Sequence, residues 1–428
     1  MTEIKPFPAI TYNFNKLNQP HKVICPPYDI ITPNAARSYR RLSGYNMIHL
    51  TLPEYTINKN QYQRSAYRFH NWLKKGILLQ DKEPAIYFYL QEFKTGERKE
   101  SHRGKGYKFR RVGFIACLSL FNSSFTHGHE YTRIEAKEDR FKLLAEVRAN
   151  LEPIFVLFPD PQRFAQNIFR KYVLPNKPLI RFQDHGKNMN ILWKVADPNI
   201  IKKIKAKMEN KPIFIADGHH RYEVSLNYQD LMRKTLNRPF QGNEDFNYIM
   251  TYFCPIESPD LIIRPVHRLV KGIDHFPIDK FKKFFYIRKT TKSKLISLIR
   301  SRTKKRRLIG MYGNKKFYIL ILKDYNILNK IEKSYRSLDI SLLNYLVLSK
   351  LLGVDPKDKD RVIFNANVQN LIRQADMDKT SLIFFLKPVR ISNITHLAGM
   401  GKKMPTKTTY FYPKVPSGLV VYKFKKSQ

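Results

Sequence analysis

A short apolar run that ends abruptly in an Asp-Gly pair is the feature that most restricts the fold of this chain. Residues 212–216 read Pro-Ile-Phe-Ile-Ala, and Asp217 and Gly218 follow at once. Apolar residues then recur at helical spacing from Tyr222 to Leu231. A short apolar run closed by turn residues is typical of a strand, and helical spacing indicates a helix. The sequence therefore predicts a strand, a tight turn and the N-terminus of a helix at this point.

Strand-like and helix-like segments alternate along the rest of the chain, so we expect an α+β fold. Helical spacing of apolar residues covers residues 62–75, 136–149 and 337–352. Short apolar or aromatic runs favour strands at residues 47–52, 85–90, 112–118, 153–158, 248–254 and 410–412. Since 428 residues exceed what one simple core fills, we expect a core from residues 1–271, a basic α+β subdomain from residues 272–335, and a C-terminal segment, residues 336–428, that completes the core.

The composition favours a globular interior and a strongly basic surface. Hydrophobic residues make up 43% and aromatic residues 13% of the chain, which argues against disorder. A formal net charge of +43 would attract nucleic acid, anionic membrane or phosphorylated ligands. Basic stretches occur at residues 98–111, 201–211 and 300–307. The abundance of Lys, Asn, Ile, Tyr and Phe also fits compositional drift in an AT-rich genome, so both explanations of the charge stay open.

The sequence has no secretory or membrane-spanning pattern. No apolar run approaches the roughly 18 residues that a membrane helix needs, and the first residues lack the apolar core of a signal peptide. Cys25, Cys117 and Cys254 are far apart and show no metal-ligand spacing, so we interpret them as free thiols. We expect a cytoplasmic protein without a membrane partner.

Residues 217–221, Asp-Gly-His-His-Arg, concentrate groups that suit an anion at the predicted turn. Backbone amides and the helix dipole favour phosphate at a helix N-terminus, the glycine permits close approach, and the arginine can supply a bidentate fork. The aspartate can hold Mg²⁺, and the histidines can donate to phosphate or carry a proton. The alternative is structural: the aspartate caps the helix, the histidines satisfy hydrogen bonds, and the arginine pairs with an acid.

A second carboxylate follows a stiff pair of prolines. Pro26 and Pro27 restrict the backbone ahead of Tyr28 and Asp29. A carboxylate held in a fixed position can accept a proton from a substrate hydroxyl, so Asp29 is our first candidate for a base. The alternative is that Asp29 forms an Asx-turn or an N-cap before Pro33.

Two further segments carry phosphate-binding side chains. His129 and Glu130 lie on a loop ahead of the helix that carries Arg140, where they can offer a metal ligand, a proton carrier and a phosphate clamp, although a capped helix start explains the same residues. Lys407 and Thr408 precede the aromatic run at residues 410–412, which we interpret as a buried strand in preference to a base-stacking platform.

The chain resembles the DUF1015 family of uncharacterised proteins over almost its whole length. The hallmark is Ala-Asp-Gly-His-His-Arg-Tyr-Glu at residues 216–223. Further matching stretches occur in the same order, at residues 25–29, 46–50, 129–132, 264–268, 338–339, 404–414 and 417–418. Where the family usually has Met-Pro-Pro-Lys-Ser-Thr, this chain has Met-Pro-Thr-Lys-Thr-Thr from Met404 to Thr409. The departure keeps the lysine and a hydroxyl.

The strand-turn-helix with its Gly-x-x-Arg core also resembles the nucleotide-binding box of the ParB and sulfiredoxin superfamily, which includes kinases of free serine. This resemblance implies a ParB/sulfiredoxin-like nucleotide-binding core within residues 1–271, with additional mixed α/β subdomains. It also implies nucleotide phosphate on the turn from Gly218 to Arg221.

We therefore expect an ATP-dependent, Mg²⁺-assisted kinase that phosphorylates the hydroxyl of a small molecule, with free L-serine as the first candidate acceptor. The expected catalytic residues are Asp29, Glu130, Asp217 and His220. The expected nucleotide-binding residues are Gly218, His219, His220, Arg221, His129, Arg140, Lys407 and Thr408, and the expected metal ligands are Asp217 and Glu130. Two alternatives stay open: a ParB-like DNA-binding protein switched by a nucleotide, and a non-catalytic sensor of nucleotides or polyanions. The sequence shows no helix-turn-helix, zinc-finger or RNP-like motif that would read bases.

Overall fold

A computed structural model describes residues 1–55, 60–94, 108–121, 123–236, 238–273, 277–300 and 307–425. Residues 98–107 and 301–306, which form most of two of the basic stretches, lie outside these ranges. Among the described residues, none of the helices combines the length and the apolar character needed to cross a membrane.

Strands occur along most of the described chain. They are β1 (Ile4–Lys5), β2 (Ile10–Tyr12), β3 (Leu78–Gln80), β4 (Ile86–Phe93), β5 (Phe109–Ser119), β6 (Thr126–His127), β7 (Ala149–Asn150), β8 (Ile154–Phe158), β9 (Ile180–Gln183), β10 (Met189–Val195), β11 (Ile213–Asp217), β12 (Tyr248–Pro255), β13 (Ile262–Pro265), β14 (His267–Val270), β15 (Phe285–Thr290), β16 (Leu308–Gly313), β17 (Lys316–Leu322), β18 (Val362–Asn365), β19 (Leu382–Phe385), β20 (Thr409–Tyr412) and β21 (Tyr422–Lys423).

Helices alternate with these strands. They are α1 (Pro20–Val23), α2 (Pro33–Leu42), α3 (Ile48–Thr51), α4 (Gln61–Lys74), α5 (Ile134–Val147), α6 (Phe164–Ile168), α7 (Pro198–Met208), α8 (His219–Lys234), α9 (Ile278–Phe284), α10 (Lys292–Arg300), α11 (Asp339–Leu342), α12 (Val368–Met377) and α13 (Ile391–Gly399). Two π-helical segments, Phe169–Val173 and Leu343–Leu351, continue α6 and α11.

The chain divides into two compact units. The first unit comprises Met1–Gly128, Thr132–Leu261 and Pro413–Gln428, and the second comprises His129–Tyr131 and Ile262–Tyr412. The three-part division at residues 271 and 335 stays a prediction.

A large mixed sheet forms the centre of the first unit. Within the described residues its strands lie in the order β6-β11-β8-β12-β5-β4-β10-β9, with β1 paired to β5. The β6–β11 and β8–β12 pairs are parallel and the others are antiparallel. Successive side chains on a strand point to opposite faces, so Ile86, Phe88 and Leu90 of β4 enter the apolar core while the residues between them lie on the other face. The mixed α+β fold predicted from the sequence is confirmed.

Most of the predicted elements of the first unit are confirmed, but the predicted strand at residues 47–52 is wrong. This segment contains the helix α3 instead. Ile48 and Leu50 are fully buried, and the apolar residues at 48, 50 and 52 alternate with His49 and Thr51 as they would in a strand. The Asn46 side chain forms a turn just ahead of the helix, because its Oδ1 accepts a hydrogen bond from the Ile48 amide at 3.0 Å, and Met47 is the N-cap residue.

The second unit has an antiparallel sheet of its own. Its described strands lie in the order β15-β17-β16-β19-β14-β18, and β13 pairs separately with β20. The helix predicted at residues 337–352 is present as α11 and its π-helical continuation. The strand predicted at residues 410–412 is β20, in which Phe411 is buried and Tyr410 and Tyr412 are partly buried.

Candidate functional site

The predicted strand-turn-helix is present and requires its glycine. β11 ends at Asp217, and Gly218 is the N-cap residue of α8 with a φ of 88°. A Cβ at Gly218 would lie 2.9 Å from Ile154 Cγ2 and 3.0 Å from Arg221 Nη2, closer than real Cβ atoms approach such groups. Only glycine adopts this backbone angle readily and leaves this space open. Gly218, and not Asp217, therefore occupies the N-cap position.

Asp217 lies between two cationic side chains. Its Oδ1 accepts a hydrogen bond from Lys414 Nζ, and its Oδ2 accepts one from Arg221 Nη2 at 3.2 Å. Lys414 Nζ also lies 3.9 Å from Asp29 Oδ2. The Lys414 side chain is 8% exposed and that of Asp217 is 15% exposed, so these charges interact with little solvent screening. Lys414 therefore brings together Asp29 and Asp217, the two aspartates that the sequence predicted as catalytic residues.

Arg221 is committed to this cluster by neighbouring acids. Burial lowers its pKa, but the carboxylates of Glu152 and Asp217 act more strongly and leave it above its ordinary value. Its Nη1 donates to the Pro153 carbonyl. Its Nε is buried and has no hydrogen-bond partner in the part of the chain that the structure describes. Arg221 also lines a cavity of about 50 Å³ together with Arg140 and Glu152.

The Asp29 loop is held in place by Glu152 and Ser417. Cys25 and Ser417 exchange backbone hydrogen bonds of 3.3 and 2.8 Å. Glu152 Oε1 accepts from the Tyr28 amide at 3.2 Å and from Ser417 Oγ. The N-cap alternative for Asp29 is wrong, since Thr32 caps α2 by accepting from Ala35 N.

Arg140 and Cys25 lie close to this loop but in buried positions. The Arg140 guanidinium lies 4.2 Å from the centre of the Tyr28 ring, and its Nη1 donates to the Thr51 carbonyl at 2.6 Å. Burial and the nearby Glu152 raise the pKa of the Cys25 thiol well above its ordinary value. A neutral, buried thiol is a poor nucleophile, so Cys25 acts here as a packing residue.

The two histidines of the turn make different contacts. His219 is buried, and a Cβ at Gly128 would come within 3.3 Å of its Cδ2. His220 Nε2 accepts a hydrogen bond of 3.0 Å from the Arg133 amide, which places the proton of the neutral ring on Nδ1. Glu223 accepts from Thr132 Oγ1 at 2.5 Å on the same helix. Both contacts join the start of α8 to the segment that leads into α5.

The remaining predicted residues form a cluster in the second unit. His129 Nε2 lies 3.1 Å from Thr409 Oγ1, and Glu130 Oε1 accepts from the Lys407 amide at 3.4 Å. Thr408 Oγ1 donates to the Pro405 carbonyl. Lys407 itself is exposed and has a φ of 54°. The structure thus brings His129, Glu130, Lys407 and Thr408 together within this unit.

The sequence analysis missed three residues of the first cluster: Lys414, Glu152 and Ser417. Lys414 ends the segment 404–414, but Lys407 was the predicted phosphate-binding lysine because hydroxyl residues adjoin it. Ser417 belongs to a stretch that matches the family, and this was a usable signal. Glu152 stands alone in Leu151-Glu152-Pro153 and no motif marks it.

The acidic residues do not form an evident metal centre. In the described ranges, no group of three or more His, Cys, Asp or Glu side chains is arranged to hold a metal ion. Both Asp217 oxygens accept hydrogen bonds from cationic side chains, which occupy the positions that Mg²⁺ would need. The donor set as arranged does not fit a resident Mg²⁺ ion.

Comparison with known protein families gives one match. The family model described as "Protein of unknown function (DUF1015)" matches residues 4–341. The chain belongs to the DUF1015 family. No curated protein matches it.

Several solved structures show a distant likeness. A free serine kinase in complex with AMP has 12% identity and a TM-score of 0.36, with 73% of this chain and 91% of that chain covered. The protein SbnI from Staphylococcus aureus, lacking its C-terminal part, has 10% identity and a TM-score of 0.36, with coverage of 72% and 87%. A conserved hypothetical protein from Pyrococcus furiosus has 10% identity and a TM-score of 0.33, with coverage of 72% and 95%.

Proposed function

We propose that this protein is a nucleotide-dependent kinase that phosphorylates the hydroxyl group of a small molecule, with free L-serine as the first candidate acceptor. The observation that carries the proposal is the cluster of Asp217, Asp29 and Lys414 beside the N-terminus of α8. The cluster combines a candidate base with cations that suit a phosphoryl group. The motif at residues 216–223 supports a nucleotide as the phosphate donor.

The roles follow from what phosphoryl transfer requires. The serine Oγ attacks the terminal phosphorus, the bond from phosphorus to the bridging oxygen breaks, and the nucleotide leaves with one phosphate fewer. Asp29 is the candidate acceptor of the hydroxyl proton, because its side chain is 25% exposed and substrate can reach it. Lys414 and Arg221 supply positive charge where the transferred group becomes more negative.

The helix start supplies the site for phosphate. Amides at a helix N-terminus point outward and favour an anion, and Gly218, which accommodates the positive φ, adds no side chain at this turn. The buried Arg221 Nε is a further donor that a bound phosphate or a bridging water can satisfy. Mg²⁺ would enter with the nucleotide, and no step here depends on it.

The test is direct synthesis of O-phosphoserine. Purified protein is incubated with Mg²⁺, ATP or ADP, and L-serine, alongside Asp217→Asn, Asp29→Asn and the control Asp230→Asn. Asp230 is an exposed carboxylate on α8 and makes the control a matched loss of one charge. We expect product from the native protein and from the control, and a loss of about 100-fold or more in the other two variants. Absence of product with either donor from folded, nucleotide-binding protein would reject L-serine as the acceptor and favour another hydroxyl substrate or a nucleotide-dependent switch.

One observation favours a second candidate, a ParB-like DNA-binding protein switched by a nucleotide. The formal charge of +43 would support binding to a polyanion. This function predicts DNA binding that weakens steeply with salt and changes on addition of CTP, with no O-phosphoserine formed. The kinase predicts the opposite outcome in both assays.

A further inference from the structure

A row of buried polar side chains crosses the large sheet of the first unit. Gln91 of β4 is the register partner of Arg111 on β5 and of Asn190 on β10. Arg111 and Asn190 are fully buried and Gln91 is 1% exposed. They lie on the face opposite the apolar core, because each is out of phase with the apolar residues beside it in its strand.

This row contacts the backbone on both sides of the Pro413–Lys414 peptide bond. Arg111 Nη2 donates to Gln91 Oε1 and to the Pro413 carbonyl. Gln91 Nε2 donates to the Lys414 carbonyl at 3.1 Å and lies 3.4 Å from Asn190 Oδ1. Two consecutive carbonyl groups are therefore bonded to side chains of neighbouring central strands.

The chemistry of the segment explains why its carbonyl groups form these hydrogen bonds. Pro413 has no N–H, so its amide position cannot be bonded to a neighbouring strand. Burial of a guanidinium and a carboxamide is unfavourable unless their donors and acceptors are satisfied, and here the segment that carries Lys414 satisfies part of both groups. The rings of Phe155 and Tyr252 surround Arg111, with their centres 4.9 and 5.8 Å from its Cζ.

We propose that Gln91 and Arg111 are positioning residues that place Lys414 Nζ against Asp217 and Asp29. The significance for catalysis rests on the proposed kinase function, but the placement of Lys414 can be measured without it. The central strands fix the main chain at residues 413 and 414. The Lys414 side chain therefore samples fewer conformations, and its ammonium group stays close to the carboxylates.

Gln91→Glu is the sharpest variant. The glutamate keeps an acceptor for Arg111 but removes the donor to the Lys414 carbonyl and brings a carboxylate oxygen against it. Gln229→Glu is the matched control, because Gln229 is also buried in the first unit and its Nε2 donates to Asn247 Oδ1 at 2.9 Å. Both variants bury the same new group, but only the first alters the contact with Lys414.

The measurement is acetylation of Lys414 in the folded full-length chain, followed by peptide mass spectrometry. We expect Gln91→Glu to raise the rate at Lys414 about fivefold, as the loss of one hydrogen bond predicts, while Gln229→Glu leaves it near the native rate. The other lysines in the same digest report global unfolding. Arg111→Lys, which keeps the charge but not the fork, should give the same selective increase and serves if Gln91→Glu does not fold.

Equal labelling of Lys414 in native, Gln91→Glu and Arg111→Lys proteins would overturn the inference. A negative kinase assay would leave this readout intact, so the two proposals fail separately. If the kinase is active, Gln91→Glu should lower kcat more than it raises the KM for nucleotide, because Lys414 acts on the reacting groups.

Discussion

The two lysines of residues 404–414 are held in opposite ways. Lys414, in the first unit, is 8% exposed and its ammonium group is bonded to Asp217. Lys407, in the second unit, has an exposed side chain, and its loop is held through backbone hydrogen bonds. Its amide donates to Glu130 and its carbonyl accepts from Arg268. One lysine is fixed by its charge, and the other is presented on a fixed loop.

A buried arginine contributes to the second arrangement. Arg268 is 1% exposed, and its guanidinium donates to the carbonyls of Val266 at 2.7 Å and of Thr406 and Lys407 at 3.1 Å each. Burial lowers its pKa, and in the described residues no carboxylate forms an ion pair with it. Carbonyl dipoles therefore stabilise the cation, and the loop in turn is held against it. We therefore propose that Lys414 acts on the reacting groups, while the nucleotide-binding role of Lys407 stays a prediction.

The largest expected effect is on turnover. Lys414→Met keeps the length of the side chain and removes its charge, so we expect kcat for O-phosphoserine formation to fall about 100- to 1,000-fold. If Lys407 contacts the nucleotide phosphate, as the sequence predicts, Lys407→Met should leave kcat within about twofold and raise the KM for nucleotide about tenfold. Steady-state kinetics of both variants decide this, and equal kcat losses would break the distinction between the lysines.

Two glycines provide the next largest contrast. Gly218 and Gly401 both have a positive φ, of 88° and 68°. A Cβ at Gly218 would clash with Ile154 and Arg221, whereas at Gly401 no atom lies within 4 Å among the described residues. We expect Gly218→Ala to lower the free energy of unfolding by about 3 kcal/mol, since steric strain adds to the backbone penalty, and Gly401→Ala by about 1 kcal/mol.

Urea denaturation of the full-length variants measures both values. A cost at Gly218 no larger than at Gly401 would show that the first turn can relax, and would weaken its assignment as a shaped phosphate site.

The sequence predicted the turn at Gly218 but not the partners of Asp217. The reason is the separation of the contacting residues along the chain. The strand, the Asp-Gly turn and the helix are encoded by neighbouring residues, so local pattern suffices. Lys414 lies 197 residues from Asp217, and Gln91 lies 323 residues from Lys414. No periodicity reports such contacts. The prediction at residues 47–52 failed for a different reason, because apolar and polar residues alternate there as in a strand, while the helix that forms spans only Ile48–Thr51.

Alkaline pH should destabilise the first unit through its buried thiols. Cys25, Cys117 and Cys254 all lie in that unit. Burial raises the pKa of Cys254 from 9.0 to about 11, so the folded state retains a proton that the unfolded state releases. The resulting stabilisation is present below pH 9 and is lost as pH rises through about 11.

Cys254→Ala should therefore flatten the fall in unfolding free energy between about pH 9 and pH 10 by about 1 kcal/mol. The slope is compared, since the substitution also leaves a small cavity that lowers stability at every pH. Fluorescence of Trp72 and Trp193, both in the first unit, follows the transition. An unchanged slope would show that this thiol does not control the alkaline response.

The smallest expected effect concerns the backbone of Lys407. A non-glycine residue at a φ of 54° is strained unless its surroundings enforce the angle, and the bonds from Glu130 and Arg268 do so here. Lys407→Gly relieves the strain, so we expect the free energy of unfolding without ligand to rise by less than about 1 kcal/mol. Lys407→Met, which keeps the strain, is the control. Urea denaturation without nucleotide measures both variants. Equal free energies of unfolding for Lys407→Gly and Lys407→Met would show that the backbone at residue 407 is not strained in the ligand-free protein.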